Sequence, residues 1–387
     1  MQLSVIILNY NVRYFLEQCV LSVQNAISTL DAEIIVIDNN SSDDSCLMMK
    51  ERFPTVKLIE NKENFGFPKG NNIGVAQAQG KYVCILNPDT IVAEDSFVKI
   101  LAFAEEQTNL GIVGCKLIDG TGNFLPESKR GIPTPWVAFT KIFGLYKVFP
   151  QWRLFNQYYA QHISENETGK VAILVGAFML MKRDLYLDLK GFDEACFMYA
   201  DDIDLSYRAL LKEKENYYFH DTAVLHYKGE STVKDEKYMK RFQEAMTFFY
   251  QKHFKKSLFF SVFIKMGILF FSFVKMFQGK SKVKPGPESY VLYSSDINLS
   301  ENLSVILKNK VDIFDFKKEK MVNSWQVLKG KRVEIILDNQ HVSFRNCIKI
   351  IETIKDKRIT FKIFPKNANF IIGSNSRNER GQIIKIK

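Results

Sequence analysis

The first ninety residues alternate apolar runs with helix-like stretches, and that alternation constrains the fold more than any other feature of the chain. Four runs, LSVIILNY (3–10), EIIVIDN (33–39), VKLIEN (56–61) and KYVCILN (81–87), are short, unbroken and rich in β-branched residues. Such runs read as strands buried on both faces. Between them lie a helical pattern from about Tyr14 to Leu30 and a second helix running to about Phe53, for which Ser41-Ser42-Asp43 supplies N-cap chemistry. The third connection, NFGFPKGNNIGVAQAQG (64–80), is a glycine-punctuated loop entering a helix. Strand–helix alternation calls for parallel strands joined by right-handed crossovers, with helices on both faces of the sheet.

Ligands of such sheets bind beyond the carboxyl ends of the strands. Asn9 and Asn11 follow the first run, Asp38 closes the second, and Asp89 follows the fourth, where Pro88 forbids further ladder pairing. One aspartate at a strand end is ordinarily a helix cap or turn former. Three ends carrying polar side chains toward one crevice point instead to a binding site.

The pattern changes after Val113. Residues 122–136 (GNFLPESKRGIPTPW) read as a Pro- and Gly-rich loop, and the aromatic stretch up to Tyr159 has no clean period. A strand and short helix resume in 171–194, FMYADDIDLSYRALLKE (197–213) sets a cluster of acids ahead of a helix, and 217–232 reads as a strand followed by a loop carrying His226.

The ordered set SVIILNYN, VIDNNSSD, NFGFPKGNN, LNPDT, VGAFMLMKR, GFDEACFMYADDIDLSYR and HYKGEST resembles the family 2 glycosyltransferases, particularly the rhamnosyltransferase-like members that build bacterial surface polysaccharides. The resemblance covers about residues 1–250. It implies the GT-A fold, a Rossmann-like mixed sheet with helices on both faces, and an inverting transfer of sugar from a nucleotide diphospho-sugar to a hydroxyl. The donor it implies is a dTDP-rhamnose-like or UDP-sugar, and the acceptor a glycan on polyprenyl diphosphate. By the same resemblance Asp38 accepts the N3–H of a uracil or thymine base. The nucleotide site further takes in Asn9, Asn11, Asn40, Asn64, Gly66, Lys69, Gly70, Asn71 and Asn87. Gly66 and Gly70 permit close backbone approach, and Lys69 helps with phosphate charge.

The departing diphosphate must be neutralised, which a Mg²⁺ or Mn²⁺ ion held by carboxylate oxygen can do. Asp89 matches the family's metal-binding acid. Asn87 stands where the family usually has a first aspartate, as it does in the rhamnosyltransferase-like members. His226 matches the histidine that ligates metal in some members. The acceptor hydroxyl needs a base. The second acid of the family's Glu-Asp pair falls on Asp202, with Asp201 in place of the glutamate. Two adjacent acids also raise one another's pKa. Their alternative role is to favour the helix N-terminus through its dipole, together with Asp204.

Charge divides the chain unevenly. Residues 1–250 hold 26 Lys and Arg against 32 Asp and Glu, a net of −6, whereas 251–387 hold 27 against 11, a net of +16. Such asymmetry suggests an anionic surface touching one part of the molecule. The apolar stretch 257–277 is long enough to span a bilayer, but its polar residues at 257, 261, 265, 272 and 275 fall within an arc of about 80° on one helical face. With Lys265 and Lys275 inside it and lysines flanking it, an amphipathic helix lying on an anionic membrane surface is expected, with a spanning helix or a buried interdomain helix as alternatives. Nucleic acid is not expected, since the basic third carries no recognisable reader motif.

Three regions follow: a catalytic domain over 1–250, the basic membrane-associated segment 251–283, and a small α/β domain over 284–387 whose role is not readable. The six cysteines are scattered without a C-x-x-C pair, as expected of buried thiols in a reducing compartment. The N-terminus reads as a first strand rather than a signal peptide, so a peripheral protein on the cytoplasmic face of the membrane is expected. The departures at Asn87 and Asp201 leave one alternative: a catalytically silent homologue acting as a nucleotide-binding or assembly scaffold. Oligomeric state is not legible.

Overall fold

The computed structural model describes residues 1–227, 236–254, 286–315, 330–375 and 381–386, which build two α/β sheets. The first begins with β1 (Leu3–Asn9), β2 (Ala32–Asp38), β3 (Lys57–Glu60) and β4 (Tyr82–Leu86), and continues with β5 (Thr90–Ile91), β6 (Leu110–Ile118), β7 (Gly169–Lys170), β8 (Phe178–Lys182) and β9 (Glu215–His226). Strands β3, β2, β1 and β4 lie side by side and parallel, as the alternation requires. Beyond β4 the sheet turns mixed: β8 runs antiparallel to β4, β6 antiparallel to β8 and parallel to β9, and the two-residue β5 closes the edge antiparallel to β9. A parallel start that turns mixed, with helices on both faces, agrees with the fold that the GT-A resemblance implies.

Helices cover both faces. They are α1 (Arg13–Ala26), α2 (Ser45–Arg52), α3 (Gly66–Ala76), α4 (Ser96–Glu106), α5 (Pro135–Ile142), α6 (Leu145–Val148), α7 (Arg183–Asp188), α8 (Asp201–Leu211) and α9 (Glu236–His253). Period-two alternation along β1 decides the faces. Leu3, Val5 and Ile7 join the core made by α1, α2 and α4, while Ile6 and Leu8 join the one made by α3, α7 and α8. Within 122–159, read as irregular, the chain forms α5 and α6. Pro135 occupies the first turn of α5, where its missing N–H costs nothing, and the Thr134 hydroxyl accepts from Val137 N at 3.3 Å.

The second sheet places β10 (Ser289–Tyr293), β11 (Val311–Phe314), β12 (Val333–Asp338) and β13 (Ile359–Phe364) parallel in the order β11-β10-β12-β13, and then adds β14 (Phe370–Gly373) and β15 (Gln382–Lys385) antiparallel. Helices α10 (Ile297–Leu307) and α11 (Phe344–Thr353) pack on it. A second, smaller α/β sheet in this part of the chain agrees with the sequence reading. The Asp296 side chain starts α10 by accepting from Leu299 N at 3.1 Å.

The two sheets share one apolar core. Val12, Phe15, Ile91 and Leu225 of the first domain pack with Val291, Leu337, Phe344 and Phe370 of the second. Around this core, Tyr14 meets Phe370 edge-on at 4.8 Å, Lys116 pairs with Glu352 at 2.7 Å, and Arg345 pairs with Asp95 at 2.5 Å. Gly122 adopts φ +79°, and a Cβ there would stand 1.9 Å from the Ile351 carbonyl oxygen, so only glycine permits this approach of the domains.

Among the described residues no helix is long and apolar enough to cross a membrane. The stretch 257–277 lies outside the described residues, as does the GEST motif beyond Lys228.

Candidate active site

The carboxyl ends of β1 and β2 carry an asparagine-rich network. Asn9, fully buried, donates through Nδ2 to Asp38 Oδ1 at 2.7 Å and to the Ser41 hydroxyl at 3.1 Å. Asp38 Oδ2 accepts from Ser41 N at 2.8 Å. Each Asp38 oxygen therefore keeps one lone pair for a further donor. Asn11 and Asn40 sit at φ +56° and +61°, the left-handed region that asparagine tolerates better than most residues. Asn11 Oδ1 accepts from Ser42 N at 2.7 Å, which locks the turn after β1 to the turn after β2.

Asn39, which the sequence did not single out, ties this network to the next loop. Its Nδ2 donates to Gly66 O at 3.1 Å and Asn64 Oδ1 at 3.3 Å, and its Oδ1 accepts from Asn61 at 2.8 Å. Asn64 Oδ1 also accepts from Gly66 N at 2.9 Å. Gly66 opens α3 at φ +78°, with Phe197 so close that a Cβ would stand 2.8 Å from its ring. Further along α3, Gly70 packs on Leu8, and the Lys69 ammonium sits 3.9 Å over the Phe65 ring. Asn71 is buried, donating to Phe67 O at 2.9 Å while its Oδ1 has no protein partner.

Beyond β4, Asn87 and Asp89 meet His226. Strand β5 pairs Thr90 with His226, which sets the imidazole against the turn just before it. His226 Nε2 lies 3.3 Å from Asp89 Oδ1 and 3.4 Å from Asn87 Nδ2, and Tyr227 N donates to Asp89 O at 3.0 Å. Asp89 and His226 are both buried, and His226 Nδ1 has no protein partner. One carboxylate and one imidazole in contact are a donor set suited to a divalent cation that completes its shell from a ligand. Among the described residues no group of three or more His, Cys, Asp or Glu side chains could hold a metal by itself.

The acids expected at a helix start do lie there. Asp201 and Asp202 open α8, both buried. Asp202 Oδ2 accepts from Arg130 Nη2 at 2.5 Å and from Gly176 N at 3.1 Å, while its Oδ1 is buried without a protein partner. Arg130 holds its place by a second bond, to Leu174 O at 2.9 Å. Burial, joined by the Asp202 charge, pushes Asp201 up to about 7. Asp204 is different: it accepts from Arg208 and His253, both at 2.6 Å, and from Lys252 at 2.8 Å, so it braces α8 against α9.

Arg130 escaped the sequence reading, as did two neighbours. The Lys141 ammonium lies 3.5 Å over the Tyr158 ring. Burial lowers the pKa of Lys141; burial opposes ionisation of Tyr158 as well, but Lys141 and Arg130 outweigh it and lower the phenol. Arg130 lies in the Pro- and Gly-rich loop and the other two in the aromatic stretch without a period, and Arg130 stands 72 residues from the acid it pairs with. No local signal marks such a pair.

Two consecutive residues join these parts. Gly176 N donates to Asp202, and Ala177 O accepts from Asn87 N at 3.0 Å. The Gly176 Cα faces both Asp202 and the Phe67 ring, each within 3.6 Å of where a Cβ would stand. The Asn87–Asp89 turn, the start of α8 and the first turn of α3 thus converge on the dipeptide before β8.

Residues 4–189 match the model of glycosyl transferase family 2. An N-acetylglucosaminyl-diphospho-decaprenol L-rhamnosyltransferase of Mycobacterium tuberculosis (strain CDC 1551 / Oshkosh) is 25% identical over 213 residues, covering 52% of this chain and 68% of the relative. Rhamnosyltransferase WbbL of Escherichia coli (strain K12) is 26% identical over 209 residues, covering 50% of this chain and 72% of the relative. Among solved structures, a mannosyltransferase from Pyrobaculum calidifontis in complex with GDP-Man and Mn²⁺ superposes with a TM-score of 0.47 at 17% identity, over 72% of this chain and 76% of that one.

Proposed function

The chain carries a family 2 glycosyl transferase domain over residues 4–189 and is a glycosyltransferase; from that premise we propose an inverting transfer of a sugar from a nucleotide diphospho-sugar to a hydroxyl of a lipid-linked glycan in bacterial polysaccharide synthesis. The donor is a thymidine or uridine diphosphate sugar, rhamnose being favoured by the names of the relatives. The enzyme works at the cytoplasmic face of the membrane, reached peripherally through the lysine-flanked stretch 257–277. The observation that carries this reading is that Asp202 and the Asn87–Asp89 turn, with His226 against that turn, meet at the Gly176–Ala177 dipeptide.

Asp202 acts as base. Its Oδ2 is fixed by Arg130 and Gly176 N, and its Oδ1 is buried without a proton donor, the position an acceptor hydroxyl would fill. The hydroxyl proton passes to Oδ1 as the oxygen attacks the anomeric carbon from the side opposite the diphosphate. The anomeric carbon–oxygen bond to the diphosphate breaks, and its electron pair leaves with the diphosphate. Asp201, carrying a proton to about pH 7, keeps a second full negative charge away from the base. Asp38 accepts the base N3–H on its spare lone pairs, and the 64–71 loop and α3 lie under the nucleotide. Asp89 and His226 would hold Mg²⁺ or Mn²⁺, which when bound supplies positive charge against the leaving diphosphate.

Calorimetry of thymidine and uridine diphosphates and their sugars, with and without Mg²⁺ or Mn²⁺, tests the donor site. Metal-dependent binding that disappears in Asp89→Ala is the expected result. Failure of every nucleotide to bind in either condition would overturn the reading in favour of a scaffold.

A further inference from the structure

The segment between the Arg130 ion pair and Tyr159 exposes more aromatic surface than its packing requires. Trp136 is 42% exposed, Val148 65%, Phe149 39%, Trp152 60% and Leu154 54%. They form one patch, because Phe155 touches Trp136 at 5.9 Å, Phe149 at 5.3 Å and Trp152 at 6.1 Å between ring centroids. Water-facing apolar patches of this kind mark a binding surface.

Charge identifies what it binds. Residues 128–164 contain five Lys and Arg and not one Asp or Glu; Lys129, Arg130 and Lys141 are engaged inside the fold, which leaves two for the surface. Lys147 and Arg153, both exposed, stand among the patch residues in sequence. Indole and phenyl groups rimmed by cations are the composition of a surface seated at a lipid headgroup boundary. The lobe is also joined to the part of the chain that leads to the basic apolar stretch. The Tyr250 hydroxyl on α9 donates to Pro133 O, directly before α5, and the sequence after α9 runs into 257–277.

We propose that the aromatic lobe formed by α5, α6 and the turn to Leu154 docks on an anionic lipid bilayer, with Trp152 and Phe149 entering the headgroup region. The proposal deepens the functional reading and rests on it only for its purpose. Arg130 anchors the lobe to Asp202, and Lys141 over Tyr158 pins α5 beside it, so docking the lobe brings the proposed base to the bilayer surface, where a lipid-linked acceptor presents its sugar.

The test uses the full chain with Trp152 as its sole tryptophan (Trp136→Phe, Trp325→Phe) and vesicles of phosphatidylcholine with or without phosphatidylglycerol. With brominated lipid in the phosphatidylglycerol vesicles, Trp152 emission should shift to the blue and be quenched. The double variant Phe149→Ser/Trp152→Ser should partition about tenfold more weakly. Flotation of the chain with vesicles while Trp152 stays unquenched would overturn the proposal, because another region would then be the anchor. A lipid-free dimer that dissociates in the double variant would overturn it too, assigning the patch to a second copy. Transfer to a water-soluble acceptor, unchanged within about twofold in the double variant, separates the two ideas. Quenching by a wild-type chain that transfers no sugar would remove the functional reading and leave the docking surface standing.

Discussion

The two sheets are built alike, yet their strand ends are used differently. In the first, Asp89 at the end of β4 meets His226 from a strand 137 positions further along, and Asp202 is completed by Arg130 from 72 residues away. Oxygens and nitrogens remain without protein partners there: Asn9 Oδ1, Asn71 Oδ1, Asp202 Oδ1 and His226 Nδ1 are all buried and unsatisfied. In the second, Asp338 at the end of β12 accepts from the Ser294 hydroxyl at 2.6 Å and from Gln340 N at 3.0 Å, with His341 Nε2 at 3.6 Å. Those bonds tie it to its own turn and to the neighbouring strand end, and Asn339 Oδ1 beside it is the single buried polar side-chain atom of this sheet without a protein partner among the described residues. The N-terminus of α11, where an anion could bind, is already filled, since the Glu94 carboxylate accepts from Phe344 N at 2.7 Å and Arg345 N at 2.8 Å. The lesson is that architecture alone does not make a site. Several buried polar groups without partners gathered at neighbouring strand ends do, because each costs free energy until a ligand satisfies it.

The sharpest way to break this comparison is to make the same substitution in both sheets. Asp202→Asn should lower turnover by about 10²–10⁴-fold while leaving donor binding intact, whereas Asp338→Asn should leave turnover within about twofold and lower stability instead. Equal loss of kcat in the two variants would erase the distinction. Next comes the buried pair inside the second sheet, where Lys362 Nζ lies 2.7 Å from Glu334 and both side chains are almost wholly buried. Lys362→Met should cost about 3–5 kcal/mol by leaving Glu334 alone, and Glu334→Leu/Lys362→Met should recover most of it. Urea denaturation measures both, and an additive double variant would deny the pair any coupling.

The contact that closes the second sheet's anion position comes third. Glu94→Ala should cost about 1 kcal/mol, in the range of a lost helix cap, and should let inorganic phosphate stabilise the protein where it does not stabilise wild type. An unchanged melting temperature, with and without phosphate, would show that Glu94 does not occupy that position in solution. The last test is a pH dependence and concerns Asp201. Burial and the Asp202 charge raise it from its ordinary 3.8 to about 7. Between those values the folded state holds a proton that the unfolded chain has released, so this contribution to stability is full below about pH 4 and is lost as pH rises through 7. Asp201→Asn should remove that decline, and parallel stability curves for the two proteins across this window would refute the assignment.

Much of the first sheet was legible because its signals are local. The runs at 3–10, 33–39, 56–61 and 81–87 became β1 to β4 in the expected parallel arrangement, and Pro88 ends β4 as its missing N–H requires. Asp89 and His226 could be named as candidates one by one, but only the antiparallel pairing of Thr90 with His226 puts them in contact. Arg130 could not be named at all, and Asn39 and the Gly176–Ala177 dipeptide, though inside motifs that carry the resemblance, had no role that could be assigned. An arginine in a Pro- and Gly-rich stretch has no periodicity to distinguish it, and a backbone N–H gives no sequence signal. The aromatic stretch up to Tyr159 looked patternless for a related reason: Trp136 on α5 and Phe149 and Trp152 after α6 face water, which defeats the rule that apolar residues trace a buried face.

The sequence by itself determined the parallel α/β start, the identity of the acids at its strand ends and the second small α/β domain, because hydrophobic period and turn chemistry act between near neighbours. Tertiary structure decided which acids acquire partners, which stay unsatisfied, and which face of the aromatic lobe meets water. Those outcomes depend on groups tens to hundreds of residues apart reaching hydrogen-bond distance, and only the closed sheet and its packed helices bring them there.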